Sequence, residues 1–192
     1  DITSFPNASG GTLVLLSTQT ASASATISFT TGLDSTYDEY IFKFINIHPA
    51  TDGTRLGFNL STDGGSNYNV TKTSTSFYTY HNEADNDTAL SYNTDGDLAQ
   101  STSDQRIYSA GGASSDADHG VVATLTLFNP SSTTYVKHFI AVAQYTDTAD
   151  YSTNDYVAGY GNTTSAIDAI QFKMSSGNID DGIIKLYGVK KS

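Results

Sequence analysis

The closing segment, residues 166–189, constrains the fold more than any other part of the chain. Apolar side chains occupy every second position of residues 170–174, and the same alternation returns at residues 184–186. A period of two is typical of a β-strand with one apolar and one polar face. We therefore predict a hairpin here, with turns at residues 175–178 and 180–182, and a second apolar sheet that covers it.

Segments of the same character precede this hairpin along most of the chain. They lie at residues 13–16, 23–29, 40–47, 56–60, 77–80, 121–128, 135–145 and 156–160. Residues 40–47 are apolar on both faces, which indicates a central strand buried on both sides. Nine or ten short strands without a helix longer than one turn predict an all-β fold, an antiparallel β-sandwich of jelly-roll type.

The alternation also predicts which side chains form the core, because each strand has one apolar phase. The residues expected to be buried are Ile27, Phe29, Phe42, Phe44, Phe58, Leu125, Leu127, Ile140, Phe172, Ile184 and Leu186. Strands that are apolar on both faces leave additional side chains that a two-layer sandwich cannot cover. Either the polar insertion described below or a second subunit would have to cover these.

A chain of 192 residues fits a single domain. We predict that residues 12–192 form the sandwich and that residues 1–11 form an extended N-terminal arm. Ile2 and Phe5 are the apolar anchors of this arm, which either docks on a neighbouring subunit through them or is a frayed end. Residues 81–120 are rich in Asn, Asp, Ser, Thr and Gly, and we predict a polar insertion there that holds any recognition surface.

The charge and the apolar runs of the chain exclude two classes of partner. The formal net charge is −11, and the nine Lys and Arg residues are scattered singly, so no basic stripe exists that could follow a nucleic acid. The longest apolar runs, at residues 13–16 and 139–143, are far shorter than the roughly 20 residues of a membrane-spanning helix. Cysteine is absent, which is compatible with synthesis in a reducing cytoplasm.

The octet at residues 61–68 is similar to the Asp-box, S-x-D-x-G-x-x-aromatic, a hairpin motif known from sialidases and many other β-proteins. Its matching residues are Ser61, Asp63, Gly65 and Tyr68. The aspartate of such a turn caps backbone donors, and the glycine adopts a positive φ. A sialidase would need several copies and a cluster of arginines, so we interpret the single copy as a structural turn.

Pairs of aspartates one residue apart are the candidate metal ligands. They include Asp85 with Asp87 and Asp95 with Asp97. Carboxylate oxygens at this spacing can converge on one calcium ion, although no pair matches the EF-hand loop. The alternative is that these residues are solvated parts of polar turns. Calcium is the one cofactor that the sequence leaves open.

Four tyrosines, Tyr78, Tyr80, Tyr92 and Tyr108, flank or lie within the polar insertion. Tyrosine rings can stack on sugar rings, so these residues form a candidate glycan surface. Packing in the core or at its rim is the alternative interpretation.

We identify no catalytic residues in the sequence. The four histidines share no metal-ligand spacing, and neither a G-x-S-x-G motif nor a phosphate-binding glycine loop occurs. A glycosidase needs a general acid in an apolar pocket, whereas nearly all the aspartates here stand beside polar residues. We therefore expect that the protein is not an enzyme.

Several segments together resemble a known family. Residues 37–40, 47–53, 60–66 with Tyr68, and 182–189 resemble segments that recur in the same order in small β-sandwich structural proteins of tailed bacteriophages, of virion or tail-fibre-like type. These segments span nearly the whole chain, and all are turn and strand pieces. The resemblance implies a virion component, made in the host cytoplasm and without catalytic residues.

Three functions follow from the resemblance and from the residues. The first is a capsid-decorating subunit that contacts other virion proteins. The second is a receptor-binding domain of a tail fibre that holds a host surface glycan through its Asp- and Tyr-rich insertion, and the distant third is a glycan-active enzyme. The resemblance also implies a homotrimer, because decoration subunits and fibres of these phages are often trimeric. Its contacts would combine the arm with strand faces that carry Ile41, Ile45, Ile47, Phe139 and Tyr145.

Overall fold

The computed structural model describes residues 12–191, and every regular element in that range is a β-strand. These residues include no helix long and apolar enough to cross a membrane. The strands are β1 (Leu13–Thr20), β2 (Ile27–Phe29), β3 (Glu39–Pro49), β4 (Leu56–Ser61), β5 (Lys72–Asn82), β6 (Thr88–Tyr92), β7 (Gln105–Arg106), β8 (Val121–Phe128), β9 (Lys137–Thr146), β10 (Tyr151–Gly161), β11 (Ala169–Met174) and β12 (Ile179–Val189).

Two antiparallel sheets pack face to face around one apolar core. The first sheet has eight strands in the order β1-β12-β3-β8-β9-β10-β5-β6, and the second has four in the order β2-β11-β4-β7. The strands β1-β12-β3-β8 and β2-β11-β4-β7 form the two opposed layers of a jelly roll. Two inserted hairpins, β9–β10 and β5–β6, widen the first layer. The predicted all-β sandwich is confirmed, with twelve strands in place of nine or ten.

The predicted closing hairpin is wrong, because its two strands belong to different sheets. β11 pairs with β2 and β4, whereas β12 pairs with β1 and β3, and the turn between them crosses from one sheet to the other. The expected second turn is a bulge in β12, where Gly182 adopts a φ of 120°. A Cβ at Gly182 would lie 2.7 Å from the carbonyl oxygen of Asn46, so glycine lets the two strands approach here.

Phe172 of β11 lies at the centre of the core and is fully buried. Its ring meets the rings of Phe29, Phe42 and Phe44 edge-on, at centroid distances of 6.1, 5.3 and 5.1 Å. All but one of the residues predicted to form the core are buried, and the exception is Ile140. The aromatic contacts join both sheets, so one core holds the sandwich together.

Two strands with apolar residues on both faces, β3 and β9, each bury only one face. In β9 the buried phase begins at Phe139, and Ile140 is 49% exposed on the opposite face. In β3 Ile47 is buried and Ile45 is 38% exposed, so the prediction of a strand buried on both sides is wrong. Alternation cannot assign the inner face of a strand when both phases are apolar.

Three strand boundaries also differ from the prediction. The N-terminal strand runs to Thr20 along the edge of the large sheet, and its residues Leu13 and Leu15 are exposed instead of buried. β2 is shorter than the alternation suggests and begins at Ile27. β10 begins at Tyr151, five residues before the predicted strand at residues 156–160.

The polar insertion closes one side of the sandwich. Its N-terminal part forms β6, and the chain then follows β5 through backbone hydrogen bonds from Asn93 to Ser76 (2.9 Å) and from Ser74 to Leu98 (2.9 Å). It next crosses to the small sheet, where β7 pairs with β4. The predicted arm with Ile2 and Phe5 lies outside the described residues.

Candidate functional site

The Asp-box-like octet folds into a tight turn that its own side chains hold. The Ser61 hydroxyl donates to Asp63 Oδ1 (2.7 Å) and accepts the N–H of Gly65 (3.0 Å). Asp63 also accepts the backbone N–H of Asn67 (2.8 Å) and its side-chain amide (2.7 Å). The Asn67 side chain, the Asn67 N–H and the Ser61 hydroxyl all favour the charged carboxylate, which lowers the pKa of Asp63 to about 2.

Gly65 and Tyr68 complete this turn. Gly65 has a φ of 86°, and a Cβ there would lie 2.7 Å from the Tyr68 hydroxyl, so only glycine fits under the ring. Both carboxylate oxygens of Asp63 are engaged inside the turn. The geometry is that of a structural turn and leaves no carboxylate oxygen of Asp63 without a partner.

The four aspartates considered as calcium ligands do not converge. Asp85 lies 3.0 Å from His81 Nε2, Asp87 accepts the Tyr151 hydroxyl (3.1 Å), and Asp97 accepts the Tyr92 hydroxyl (2.6 Å). The Asp95 N–H donates to the side chain of Asn93. Within residues 12–191, the one group of three metal-ligating side chains with close donor atoms contains none of these four. Local partners engage the carboxylates of Asp85, Asp87 and Asp97.

That group consists of Asp116, His119 and Asp150, whose donor atoms lie within 4.8 Å of one another. His119 Nε2 is 3.9 Å from Asp150 Oδ1. We did not predict it, because Asp150 comes from a turn far along the chain and an Asp-x-x-His spacing was the only sequence signal. Such a set can hold a divalent cation, but both carboxylates are exposed and an acidic surface brings such groups together without an ion. The group alone assigns no metal.

Two of the four candidate tyrosines lie side by side. The rings of Tyr78 and Tyr80 on β5 are nearly parallel, with centroids 6.0 Å apart, and Tyr151 meets Tyr80 edge-on at 5.2 Å. Tyr92 on β6 is 56% exposed, and its cross-strand partner is Phe77 rather than either of these tyrosines. Tyr92 therefore points to the opposite face of the sheet from Tyr78.

Tyr108 is a core residue, so its assignment to a glycan surface is wrong. It is fully buried, its ring centroid lies 4.4 Å from that of Tyr145, and its hydroxyl lies 4.0 Å from the sulfur of Met174. Desolvation raises the pKa of its hydroxyl above the usual range for tyrosine. Tyr108 comes just after β7 and lies between the two sheets. The polar residues that surround it in the sequence did not indicate this position.

A cluster of buried polar groups lies next to Tyr78, and we did not predict it. Asp155 is fully buried, and its Oδ2 accepts the Tyr145 hydroxyl (2.7 Å) and the N–H groups of Ser109 (3.1 Å) and Ala110 (3.4 Å). Desolvation raises the pKa of the Asp155 carboxyl. Asp155 lies just outside the predicted strand at residues 156–160, whereas in the structure it is part of β10 and the cross-strand partner of Tyr78.

The outer face of the eight-stranded sheet, which points away from the core, is apolar across its middle. Five neighbouring strands each expose one large apolar side chain there, and we call this set the apolar stripe: Ile45, Val122, Ile140, Tyr156 and Phe77. Each is between 38% and 49% exposed. The rings of Tyr156 and Phe77 stack at 4.9 Å with an interplanar angle of 4°. Val122 and Ile140 are not opposite each other, because their cross-strand partners are Gln144 and Thr126, and the half-buried Val142 lies between them. Exposed apolar side chains grouped on one face are typical of a protein contact surface.

Charged residues are rare around the apolar stripe. Away from the strand ends, the outward residues of β3, β8, β9, β10 and β5 include no Asp or Glu, although the chain contains 20. Lys43 is the one charged residue among them, and its Nζ donates to the Thr124 hydroxyl (2.9 Å). By contrast, the outer face of the small sheet carries polar residues such as Gln171 and Lys173. Depletion of charge marks the centre of protein interfaces.

Comparisons with other proteins identify no relative. No family model matches the chain, and no curated protein or solved structure matches it either. The functional conclusions below therefore draw on the resemblance of the sequence segments and on the surfaces just described.

Proposed function

We propose that this chain is a structural subunit of the virion of a tailed bacteriophage, and that it decorates the capsid as a homo-oligomer. The observation that carries the proposal is the apolar stripe. It lies on the middle of a face whose outward residues include no carboxylate away from the strand ends, in a protein of net charge −11. Burying this region therefore removes apolar surface from water without bringing like charges together. The resemblance to phage structural proteins supplies the biological setting.

The size of the face suits a stable protein contact. The stripe spans five adjacent strands, and strands lie about 4.8 Å apart, so it extends about 19 Å across the sheet before side chains are counted. The apolar outward residues Ile41 and Val142 lie beside the stripe and enlarge the apolar face. An exposed stripe of this kind would be a liability on a protein that remains a monomer.

The occupant we propose is a second copy of this chain. A subunit of this charge keeps its acidic loops at the periphery when its acid-free faces turn inward, and the assembled particle then stays soluble. In an oligomer of closed cyclic symmetry every copy buries the same surface. The choice of a trimer is proposed on the resemblance alone. The jelly-roll architecture recurs in viral capsid proteins, which is a supporting analogy at the level of the fold.

Sedimentation velocity of the purified full chain tests the assembly. We expect an oligomer for the wild type and a monomer for Ile140→Glu, which places a carboxylate on the central strand of the stripe. Gln171→Glu is the matched control, because it adds the same charge to the outer face of the small sheet, and it should remain oligomeric. Equal thermal midpoints for the three proteins would show that the change lies in association and not in folding.

Cryo-electron microscopy of the intact particle tests the location and covers the case of a subunit that assembles only on its capsid. Density for this chain on the head, with the stripe against another protein, supports decoration. Density at a fibre tip would instead support the receptor-binding alternative. A stripe that faces solvent in the particle, together with a monomer in solution, would contradict the proposed assembly.

A further inference from the structure

A small pocket opens where the inserted strands extend beyond the small sheet. Strands β5 and β10 contribute Tyr78, Tyr80 and Thr153, and the segment that covers them contributes Asn93 and Ser109. Its volume is about 240 Å³. That is below the roughly 300 Å³ at which pockets for drug-sized ligands begin, yet it equals the space of about eight waters. A ligand of one six-membered ring with its substituents has this size.

The floor of the pocket is made of buried polar groups. Thr153 is 1% exposed, it lines the pocket, and its hydroxyl has no hydrogen-bond partner in the protein. Beside it, the side-chain amide of Asn93 donates to the Ser109 hydroxyl (2.6 Å), and both residues are buried. A buried hydroxyl without a partner is costly in free energy, so this pocket suits an occupant that forms hydrogen bonds.

More unpartnered polar atoms lie around the same floor. Residues 12–191 contain five buried side-chain atoms without a partner, and four of them belong to Ser76, Gln105, Thr153 and Asp155. Shared neighbours link these residues. Asp155 accepts the Ser109 N–H, and the Gln105 side chain donates to the carbonyl of Gly96. Gly96 in turn lies against Ser76 and Ser109, since an added Cβ there would meet both hydroxyls. Native proteins contain few such atoms, and of these four residues Thr153 lines the pocket itself, whereas the other three are connected to it through Ser109 and Gly96.

The walls define which chemistry fits. The guanidinium of Arg55 is held by the carbonyls of Ser109 (2.9 Å) and Gly53 (3.0 Å), and it is the cation of the pocket. The carboxylates of Asp95 and Asp147 line the pocket as well, and that of Asp155 lies buried behind it. Carboxylates thus outnumber the cation, which disfavours phosphates and other anions, and the guanidinium disfavours a metal ion.

A neutral polyhydroxylated ring matches the charges, hydrogen-bonding groups and aromatic rings of all of these walls. Its hydroxyls can donate to carboxylates and accept from Arg55 and from buried hydroxyls, while its C–H groups pack against the tyrosine rings. We propose that this pocket binds one neutral sugar ring of a saccharide, with Thr153, Asn93 and Ser109 as its polar floor and Tyr78 and Tyr80 as its aromatic wall. The inference does not depend on the proposed assembly, because the pocket faces the opposite side of the sheet from the apolar stripe.

The test is a titration of the full chain with D-glucose, D-galactose, D-mannose and N-acetyl-D-glucosamine, followed by amide chemical shifts in NMR. We expect at least one sugar to shift the amides of Asn93, Ser109 and Thr153, with a dissociation constant on the order of 1 mM for so small a ligand. Sodium phosphate serves as the anionic probe and should leave these amides unshifted.

Thr153→Val is the decisive variant, because it removes the unpartnered hydroxyl and keeps the shape. It should bind the sugar about tenfold more weakly while its thermal midpoint stays equal to or above that of the wild type. Tyr80→Ala should weaken binding as well, and Tyr92→Ala, a tyrosine on the opposite face, should not. The proposal is overturned if no sugar shifts these amides, if phosphate shifts them instead, or if Thr153→Val and Tyr80→Ala bind as the wild type does. The sedimentation results would stand unchanged in each of these cases.

Discussion

Replacing Phe172 by alanine tests whether the two sheets share one core. Four phenylalanine rings surround Phe172 at centroid distances between 5.1 and 6.5 Å, two from each sheet. Truncation of a buried phenylalanine costs about 3–5 kcal/mol, and this range already includes the loss of aromatic pairs, each worth about 0.5–1.5 kcal/mol beyond the area it buries. Because all four pairs are lost and the ring is fully buried, we expect a loss of about 4–5 kcal/mol.

Equilibrium urea unfolding measures this loss. The chain contains no tryptophan, so circular dichroism and tyrosine fluorescence are the signals. A domain of this size loses about 2–4 °C of thermal midpoint per kcal/mol, which predicts a fall of about 8–20 °C. Tyr135→Ala is the control, since it truncates a ring that is 68% exposed and should change stability by less than about 0.5 kcal/mol. Equal losses in the two variants would refute the shared core.

Three further predictions concern charged groups. Asp63→Ala should lower the thermal midpoint by about 2–4 °C at neutral pH, and the difference should vanish as the pH falls towards 2, where the wild-type carboxylate takes up its proton; a constant difference would contradict the capping role. Burial lowers the pKa of Lys72 in the folded protein to about 8, whereas a lysine in the unfolded chain keeps its proton up to about pH 10. Between these two pH values the unfolded chain binds more protons than the folded protein, so the stability of the wild type should rise with pH over this range. Lys72→Met should have a smaller slope in urea midpoints over this range, and equal slopes would show that the two bonds from Lys72 Nζ offset its burial. Asp155→Asn retains an acceptor for Tyr145 without a buried charge, so at pH 7 its urea midpoint should equal or exceed that of the wild type. The stability of the wild type should itself rise as the pH falls towards the raised pKa of Asp155. A lower urea midpoint for the variant would show that the charge is needed.

Much of the fold could be predicted because each strand of a sandwich carries its own signal. Phe172 and Leu186 stand on the apolar phase of their strands, and both are buried as predicted. The partner of a strand has no such signal, so the sheets to which β11 and β12 belong could not be read from their alternation. Ile140 shows a second limit of the prediction. When both faces of a strand are apolar, the alternation does not show which face is buried.

The candidate sites divide in the same way between local and distant residues. The turn around Asp63 was visible because its hydrogen bonds join residues within four positions of one another. Spacing did not indicate that Asp85 and Asp97 contact histidine and tyrosine side chains, because these partners are found only from the fold. The pocket was invisible to any pattern, because Arg55 and Thr153 are almost one hundred residues apart in the sequence.

Both proposed surfaces depend on the strands inserted into the jelly roll. The small sheet has only four strands, so the inner face of β10 and β5 meets the polar insertion instead of a second apolar layer. That face can therefore hold Thr153 and Asp155, while the outer face of the same strands carries Tyr156 and Phe77. An ordinary sandwich strand has the reverse polarity, with apolar residues inside and polar residues outside. A jelly roll needs no such reversal to fold, and the two proposed contacts, with another subunit outside and a ligand inside, would each account for one side of it.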